Sequence, residues 1–256
     1  FLHVFKNFWD ASLILFSQPT WENDYFDLRT PGKFIKKSPF TFLGIEGSTD
    51  SRKKLFGRYN LVWPNLSPIP NDAYTRFGLG TRYRFSPKFS LDIGGDRTLD
   101  KGNIGFAFFD PATNEPIAGY RTVTTFNTTV NAIYNFKARM NLNLSLRHYW
   151  SKVEFPGAVF FGLGADGYLK PTSVYTGNAN KNYDAFNIDV VYSWQFAPGS
   201  FVNVVWKNSA YDNFNNNTGM NYFKNLDATV SDLNHNNNLS LKVLYYLDYN
   251  KLRKKK

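Results

Sequence analysis

RMNLNLSLRHYWSK, residues 139–152, is the stretch that decides the fold of this chain. Every second residue from Met140 to Leu146 is large and apolar, and the residues between them are Asn and Ser. Such a two-residue period is typical of a strand, because successive side chains of a strand point to opposite faces. We therefore expect a β-strand here with one apolar face and one polar face.

The same alternation recurs in segments 120–136 and 183–196. One set of alternating positions carries Phe, Val, Ile, Tyr and Trp together with Thr and Ala, whereas the positions between them include Arg, Asn, Asp, Ser and Gln. A strand with such a polar second face, opposite such an apolar first face, is typical of a transmembrane barrel with a wet interior. The sequence therefore predicts an all-β fold, an antiparallel transmembrane β-barrel of about ten strands in this chain.

The predicted strands are 2–17, 33–47, 53–63, 73–85, 88–98, 120–136, 139–153, 183–196, 200–209 and 238–249. Short and long connections alternate between them, and the long ones are 18–32, 64–72, 99–119, 154–182 and 210–237. Outer-membrane barrels have short periplasmic turns and long extracellular loops, so both chain ends are expected to be periplasmic. Apolar residues alternate with other residues within 99–119, so an extra short hairpin in that loop is a second possibility.

Composition limits the kinds of site and partner. The chain has no Cys, which excludes disulfides and cysteine–metal sites, and no apolar run approaches the roughly 20 residues of a membrane-spanning helix. The net charge of +10 is spread along strand faces and tails, which fits an acidic lipopolysaccharide surface as well as nucleic acid. We expect outer-membrane lipid, lipopolysaccharide and other envelope proteins as partners, with no nucleic acid, cofactor or metal.

Four segments resemble a Bacteroidota family of unknown function: NYDAFNIDVVYSWQFAPGSFVNVVWKNS (182–209), RHYWSKV (147–153), KVLYYLDY (242–249) and DSRK (50–53). Members of that family carry a carbohydrate-binding family-nine-like module followed by a large outer-membrane barrel. The resemblance implies that residues 1–256 are the C-terminal portion of such a barrel, and it implies no catalytic residues. The absence of a signal peptide before Phe1 also suggests a mature or C-terminal portion, and 250–256 is expected to be a basic periplasmic tail.

Polar residues at alternating strand positions are predicted to face the lumen. They are Arg76, Arg82, Arg84, Asp92, Arg139, Asn141, Asn143, Arg147, Asn187 and Asp189. Carboxylates such as Asp92, Asp96 and Asp189 could bind Ca²⁺ or perform acid–base chemistry, but neutralisation of inward arginines is the favoured interpretation.

Aromatic residues near strand ends or on apolar faces are predicted to form an interfacial girdle. They are Trp63, Trp150, Trp194, Trp206, Tyr245 and Tyr249. A sugar-stacking platform is the alternative for the tryptophans. His148 shares the apolar face with Trp150, so an interfacial role is favoured over catalysis.

The sequence favours a non-enzymatic outer-membrane barrel that acts as an envelope channel or as a scaffold of a surface complex. A membrane-embedded hydrolase acting on lipid or glycan is one alternative, although no nucleophile motif indicates it. A soluble glycan-binding β-domain is the other, although its exposed sheet face should be poor in large apolar residues.

Overall fold

The computed structural model describes residues 1–63, 73–175, 177–215 and 218–247, with the backbone alone for 213–215. The fold is all-β and antiparallel, as predicted, with one α-helix in the described part of the chain. The strands are β1 Leu2–Val4, β2 Asp10–Gln18, β3 Glu22–Asp24, β4 Ile35–Lys37, β5 Phe40–Ser48, β6 Leu55–Trp63, β7 Ala73–Arg84, β8 Phe89–Phe109, β9 Pro116–Lys137, β10 Met140–Glu154, β11 Phe160–Leu163, β12 Leu169–Pro171, β13 Lys181–Ala197, β14 Ser200–Asn215 and β15 Asn236–Leu244. Helix α1 is Tyr222–Ser231, and a 3-10 turn is Pro156–Ala158.

A 13-stranded sheet contains nearly all of these strands. Its main path is the meander β1-β2-β5-β6-β7-β8-β9-β10-β13-β14-β15, the hairpin β11–β12 joins it through β9, and β3–β4 is a separate hairpin. The sheet is open: among the described residues β1 pairs only with β2, and β15 only with β14. Barrel closure is therefore absent from the described part of the chain.

The two ends of the sheet differ in their connections. The short turns 49–54, 85–88, 138–139 and 198–199 share one end, here called the turn end, and the long connections share the other, the loop end. Within the described residues, no helix is long and apolar enough to cross a membrane.

Cross-strand register separates the side chains into two faces, as the alternation predicts. Leu146 lies opposite Ile188 on one side and Val130 on the other. Many side chains of this apolar face are more than a third exposed, namely Leu13, Leu15, Leu43, Ile45, Tyr59, Trp63, Phe77, Leu79, Ile93, Trp194, Trp206, Leu239, Leu241 and Val243. The polar face comprises Arg58, Asn60, Arg76, Asp92, Asp96, Asn127, Asn131, Asn141, Asn143, Arg147, Asn187 and Asp189.

Three predicted strand boundaries were wrong. Segment 2–17 is divided into β1 and β2 by a tight turn in which the Phe5 amide donates to the Trp9 carbonyl oxygen, 2.8 Å away. Segment 33–47 is likewise divided into β4 and β5. Segment 99–119 is not a loop, because β8 and β9 continue through it as a hairpin that turns at 110–115. The alternation from Ile104 to Phe108 continues the strand pattern, so the open possibility of a hairpin is confirmed.

The buried core lies at the loop end and not between two sheets. One cluster joins the β8–β9 hairpin to the loop after β10 through Ala107, Ile117, Phe155, Phe160 and Ala179. A second consists of Leu28, Ile35 and Ala118. The long connections therefore pack on one another, while most of the apolar strand face stays uncovered.

Segment 210–237 was predicted to be entirely loop, which is wrong. It contains α1, whose first turn is capped by the Asn221 side chain accepting a hydrogen bond from the Lys224 amide at 3.0 Å. Such a cap satisfies a backbone amide that has no partner within the helix. The periodicity is hard to recognise because the helix buries polar side chains, Asn225 and Thr229, against the sheet.

Candidate functional site

Ion pairs run across the polar face. The Arg58 guanidinium donates to both carboxylate oxygens of Asp92 at 2.8 and 2.7 Å. Arg76 lies 3.2 Å from Asp96, and Arg147 lies 2.7 Å from Asp189. Each of these carboxylates is therefore paired with an arginine, and that these arginines face inward stays a prediction. The partner of Asp92 is Arg58, which the sequence analysis missed, although Arg82 is its neighbour in the strand register.

Arg58 reaches Asp92 because glycine occupies the strand between them. A Cβ atom on Gly80 would lie 2.6 Å from Cζ of Arg58, and one on Gly94 would lie 2.9 Å from its Nη2. The guanidinium thus passes directly over the backbone of β7 to reach β8. A glycine on the polar face of a strand was the available signal, but it does not identify the side chain that fills the space.

The other predicted polar residues have varied positions. Arg82 and Arg84 donate to backbone carbonyl oxygens of the 49–54 turn, at Ser51 and Arg52. Arg139 lies exposed in the turn between β9 and β10. Asn141, Asn143 and Asn187 lie on the polar face in β10 and β13. Whether this face lines a lumen stays a prediction, since the described sheet is open.

A cavity of about 630 Å³ opens at the loop end of the polar face. Phe40, Phe42 and Tyr74 line it, together with the charged side chains of Glu46 and Arg76. The Phe42 ring centroid is 6.2 Å from that of Tyr74. A volume of this size is typical of small-molecule sites.

An aromatic band crosses the apolar face at the turn end. Ring contacts with centroid separations of 4.7 to 6.3 Å connect Tyr83, Phe85, Phe89, Tyr134, Phe136 and Tyr192. Trp194, Phe196 and Tyr245 continue the band, with centroids 5.8 and 6.1 Å apart. Two of the predicted girdle residues, Trp194 and Tyr245, therefore belong to a larger cluster.

The remaining girdle residues have different surroundings. Trp63 is 66% exposed at the loop end of β6, and Trp206 is 37% exposed near the middle of β14. Tyr249 lies outside the described residues. Trp150 is only 1% exposed, so its predicted interfacial position is wrong. It stacks on Phe126, with 5.1 Å between ring centroids, and α1 covers it.

His148 lies in a buried polar cluster beneath α1, and not at an interface as expected. Its Nδ1 is 3.1 Å from the Tyr222 hydroxyl, and its Nε2 is 3.4 Å from an Asp184 carboxylate oxygen. The Tyr222 hydroxyl donates to Thr128 at 2.6 Å, and the Asn225 amide donates to Asp184. The side chains of His148 and Asp184 are nearly fully buried.

This cluster has some features of a catalytic arrangement, but its environment favours anchoring of the helix. Burial raises the pKa of the Tyr222 hydroxyl, so the phenol stays protonated and is a poor nucleophile. The contacts join α1 to β9, β10 and β13 through polar groups. A hydrogen-bonded buried cluster of this kind fixes one position of the helix on the sheet.

Helix α1 carries two large apolar residues, Phe223 and Val230, on its outer face beside Lys224 and Asp227. Phe223 is 79% exposed and Val230 is 47% exposed, whereas Asn225 and Thr229 are each 2% exposed. A surface helix of a soluble domain has the opposite arrangement, with apolar residues toward the core. The sheet face beneath α1 is the apolar face, since Trp150 and His148 share that parity with Leu146.

A second charged cluster holds the first long connection against the β8–β9 hairpin. The Asp27 carboxylate accepts hydrogen bonds from Arg121 at 2.7 and 3.2 Å, from Lys37 at 2.6 Å and from the Phe106 amide at 3.2 Å. Burial alone would raise the pKa of Asp27, but Arg121 and Lys37 outweigh it and hold the pKa below its ordinary value. The carboxylate is therefore ionised at neutral pH.

Comparison with known proteins gives one result. A family model described as a domain of unknown function (DUF5916) matches residues 1–256, the whole chain. This agrees with the expected resemblance to a family of unknown function. No curated protein and no solved structure matches the chain.

Proposed function

We infer the function of this chain, which belongs to the DUF5916 family, from the two faces of its sheet. It is an outer-membrane β-barrel, or the C-terminal part of one, and serves as an envelope channel or as a scaffold in a surface complex. The observation that best supports this function is the apolar face that continues from β2 to β15 with many exposed side chains, opposite a face that carries ion pairs. In water such a face would aggregate or attract a covering layer, whereas lipid solvates it.

Two further features support a lipid environment. The aromatic band at the turn end has the position of an interfacial girdle. Helix α1 lies on the same side of the sheet and exposes Phe223 and Val230 beside the charged side chains of Lys224 and Asp227, a mixed surface that suits a membrane interface.

The open edges of the sheet, at β1 and β15, indicate what completes it. Unpaired backbone groups are costly in lipid, so these edges require further strands, which we assign to another part of the full-length protein. The proposal includes a Bacteroidota outer membrane, lipid and lipopolysaccharide as partners, extracellular loops, and a carbohydrate-binding module before the barrel.

The first test is the heat-modifiability of the full-length protein in mild detergent. Boiled and unboiled samples are compared by gel mobility, because a closed barrel resists unfolding in detergent and migrates differently until heated. A mobility shift supports the proposal. A protein that is soluble and monomeric without detergent, with no shift, would refute it.

A second test locates the apolar face directly and uses the absence of Cys from the chain. Leu79→Cys and Leu241→Cys place single labels on exposed positions of the apolar face, and Asn131→Cys places a matched label on the polar face. After reconstitution with lipids that carry a quencher in the acyl chain, fluorescence from positions 79 and 241 should be quenched strongly. Equal quenching at position 131 would contradict the assignment of the two faces.

A further inference from the structure

The polar face changes character at its loop end, where the cavity of about 630 Å³ lies. Elsewhere this face carries mainly polar side chains, with aliphatic residues such as Ile133 and Val191 among them, but here the aromatic residues Phe40 and Phe42 line the cavity. Phe16 stacks on both, with centroid separations of 5.7 and 5.2 Å. These rings lie outside the two buried core clusters, so packing of the core does not account for them.

The basic side chains at the cavity already have carboxylate partners. Lys37 lies 2.6 Å from Asp27 and 3.9 Å from Asp24, and Arg76 lies 3.2 Å from Asp96. Glu22 and Glu46 also line the cavity, and in the described part of the chain neither has an ion-pair partner within 4.0 Å there. The cavity is therefore electronegative, although the whole chain carries a net charge of +10.

Hydrogen-bond acceptors are also in excess. The Oδ1 atom of Asn60, a lining residue, is buried and accepts no hydrogen bond within the described residues. Asp100, another lining residue, accepts from the Asn103 amide at 2.7 Å and adds a further carboxylate to the lining. A ligand that matches this lining must supply donors and positive charge.

We propose that this cavity binds an organic cation, in which an ammonium or guanidinium group is attached to an apolar body. An ammonium group brings three donors and one positive charge to the carboxylates. The apolar body packs on Phe40, Phe42 and Tyr74, and aromatic faces also attract the cation itself. The inference rests on the proposed function, under which this cavity is the extracellular entrance of the polar face.

The test uses three compounds with the same indole ring: tryptamine as the cation, tryptophol as the neutral analogue and indole-3-propionate as the anion. Binding to the full-length protein in nanodiscs is measured by equilibrium dialysis at neutral pH, and binding to empty nanodiscs is subtracted. We expect tryptamine to bind at least tenfold more tightly than either analogue. The variant Glu46→Gln should abolish the preference for tryptamine over its analogues. Phe42→Ala should weaken the binding of tryptamine at least fivefold. Glu115→Gln, which lies outside the cavity, should leave both the affinity and the preference unchanged.

Absence of binding by all three compounds would overturn the inference, as would equal binding of tryptamine and the analogues. So would a preference for tryptamine that persists unchanged in Glu46→Gln. Gel mobility of each sample is measured in parallel. A heat-modifiable protein that does not bind tryptamine refutes the ligand inference alone, and a protein that binds tryptamine but shows no heat-modifiability refutes the membrane proposal alone.

Discussion

Replacing Asp27 by Asn should release the first long connection from the β8–β9 hairpin. The carboxylate accepts hydrogen bonds from Arg121 and Lys37, and its side chain is 15% exposed. An Asn side chain keeps one acceptor oxygen but removes the carboxylate that pairs with the part-buried Arg121, and it leaves Lys37 only Asp24, 3.9 Å away. Breaking a buried ion pair in this way costs about 3–5 kcal/mol, and partial exposure here reduces the expected cost to about 2–3 kcal/mol.

Hydrogen exchange followed by mass spectrometry measures this cost locally. The peptide spanning 24–37 reports the opening of the connection, and about 1.4 kcal/mol corresponds to a tenfold change in an equilibrium constant. Exchange in this peptide should therefore accelerate by roughly 30- to 150-fold in Asp27→Asn, while peptides from β10 and β13 should be unchanged.

The chain offers a matched control between the same two segments. Lys33 and Glu115 also join the first connection to the hairpin, at 2.6 Å, but their side chains are 45% and 55% exposed. An exposed pair contributes about 0–1 kcal/mol, so Glu115→Gln should accelerate exchange less than about fivefold. If the two variants accelerate exchange equally, burial is not what gives the Asp27 cluster its strength.

Three further outcomes are expected. Because the pKa of Asp27 is lowered in the folded protein, its contribution is complete above the unfolded pKa of about 3.9 and is lost as the pH falls further; exchange in 24–37 relative to β10 should rise only in that acidic range. Gly80→Val should displace Arg58 and lower the stability of the folded protein by about 1–3 kcal/mol in thermal unfolding, whereas Gly44→Ala, where a Cβ meets nothing closer than 3.6 Å, should have little effect. Asn225→Ala removes a hydrogen bond to the buried Asp184 carboxylate and should destabilise the docking of α1 by about 1–3 kcal/mol, seen as faster exchange in the helix alone.

The glycine variants also test why the ion pairs exist. If Gly80→Val leaves thermal stability unchanged, Arg58 does not depend on the space above β7. A large effect of Gly44→Ala would show that any side chain added to this sheet is harmful, and the comparison would then say nothing about Arg58.

Strand content and the division into two faces could be predicted from the sequence because both are local properties. Alternation from Met140 to Leu146 specifies which side chains share a face, whatever the rest of the chain does. The cross-strand register between β10 and β13 keeps that parity along its whole length, although Asp184 and Asn182 occupy the apolar side near the loop end. The short turns were equally recognisable, since Pro, Gly and Lys interrupt the alternation there.

The errors concern residues whose environment is set by a distant segment. Trp150 has the pattern of a girdle residue, but α1, more than 70 positions later, covers it. The helix was missed because its inward side chains are polar, so the usual apolar period is absent from the buried face. Nothing near Arg58 in the sequence indicates that its partner is Asp92, two strands away.

The sequence by itself determined the strands, their two chemically different faces and the sites of the short turns, because these follow from the two-residue period and from residues that break it. Only the tertiary structure decided which side chains meet: the Arg58–Asp92 pair over Gly80, the cluster around His148, the Asp27 anchor and the aromatic-lined cavity. The Arg58–Asp92 and Asp27–Arg121 pairs, for example, join residues that are 34 and 94 positions apart. Such contacts depend on how the strands are stacked in the sheet and how the loops fold back on it, which no local pattern encodes.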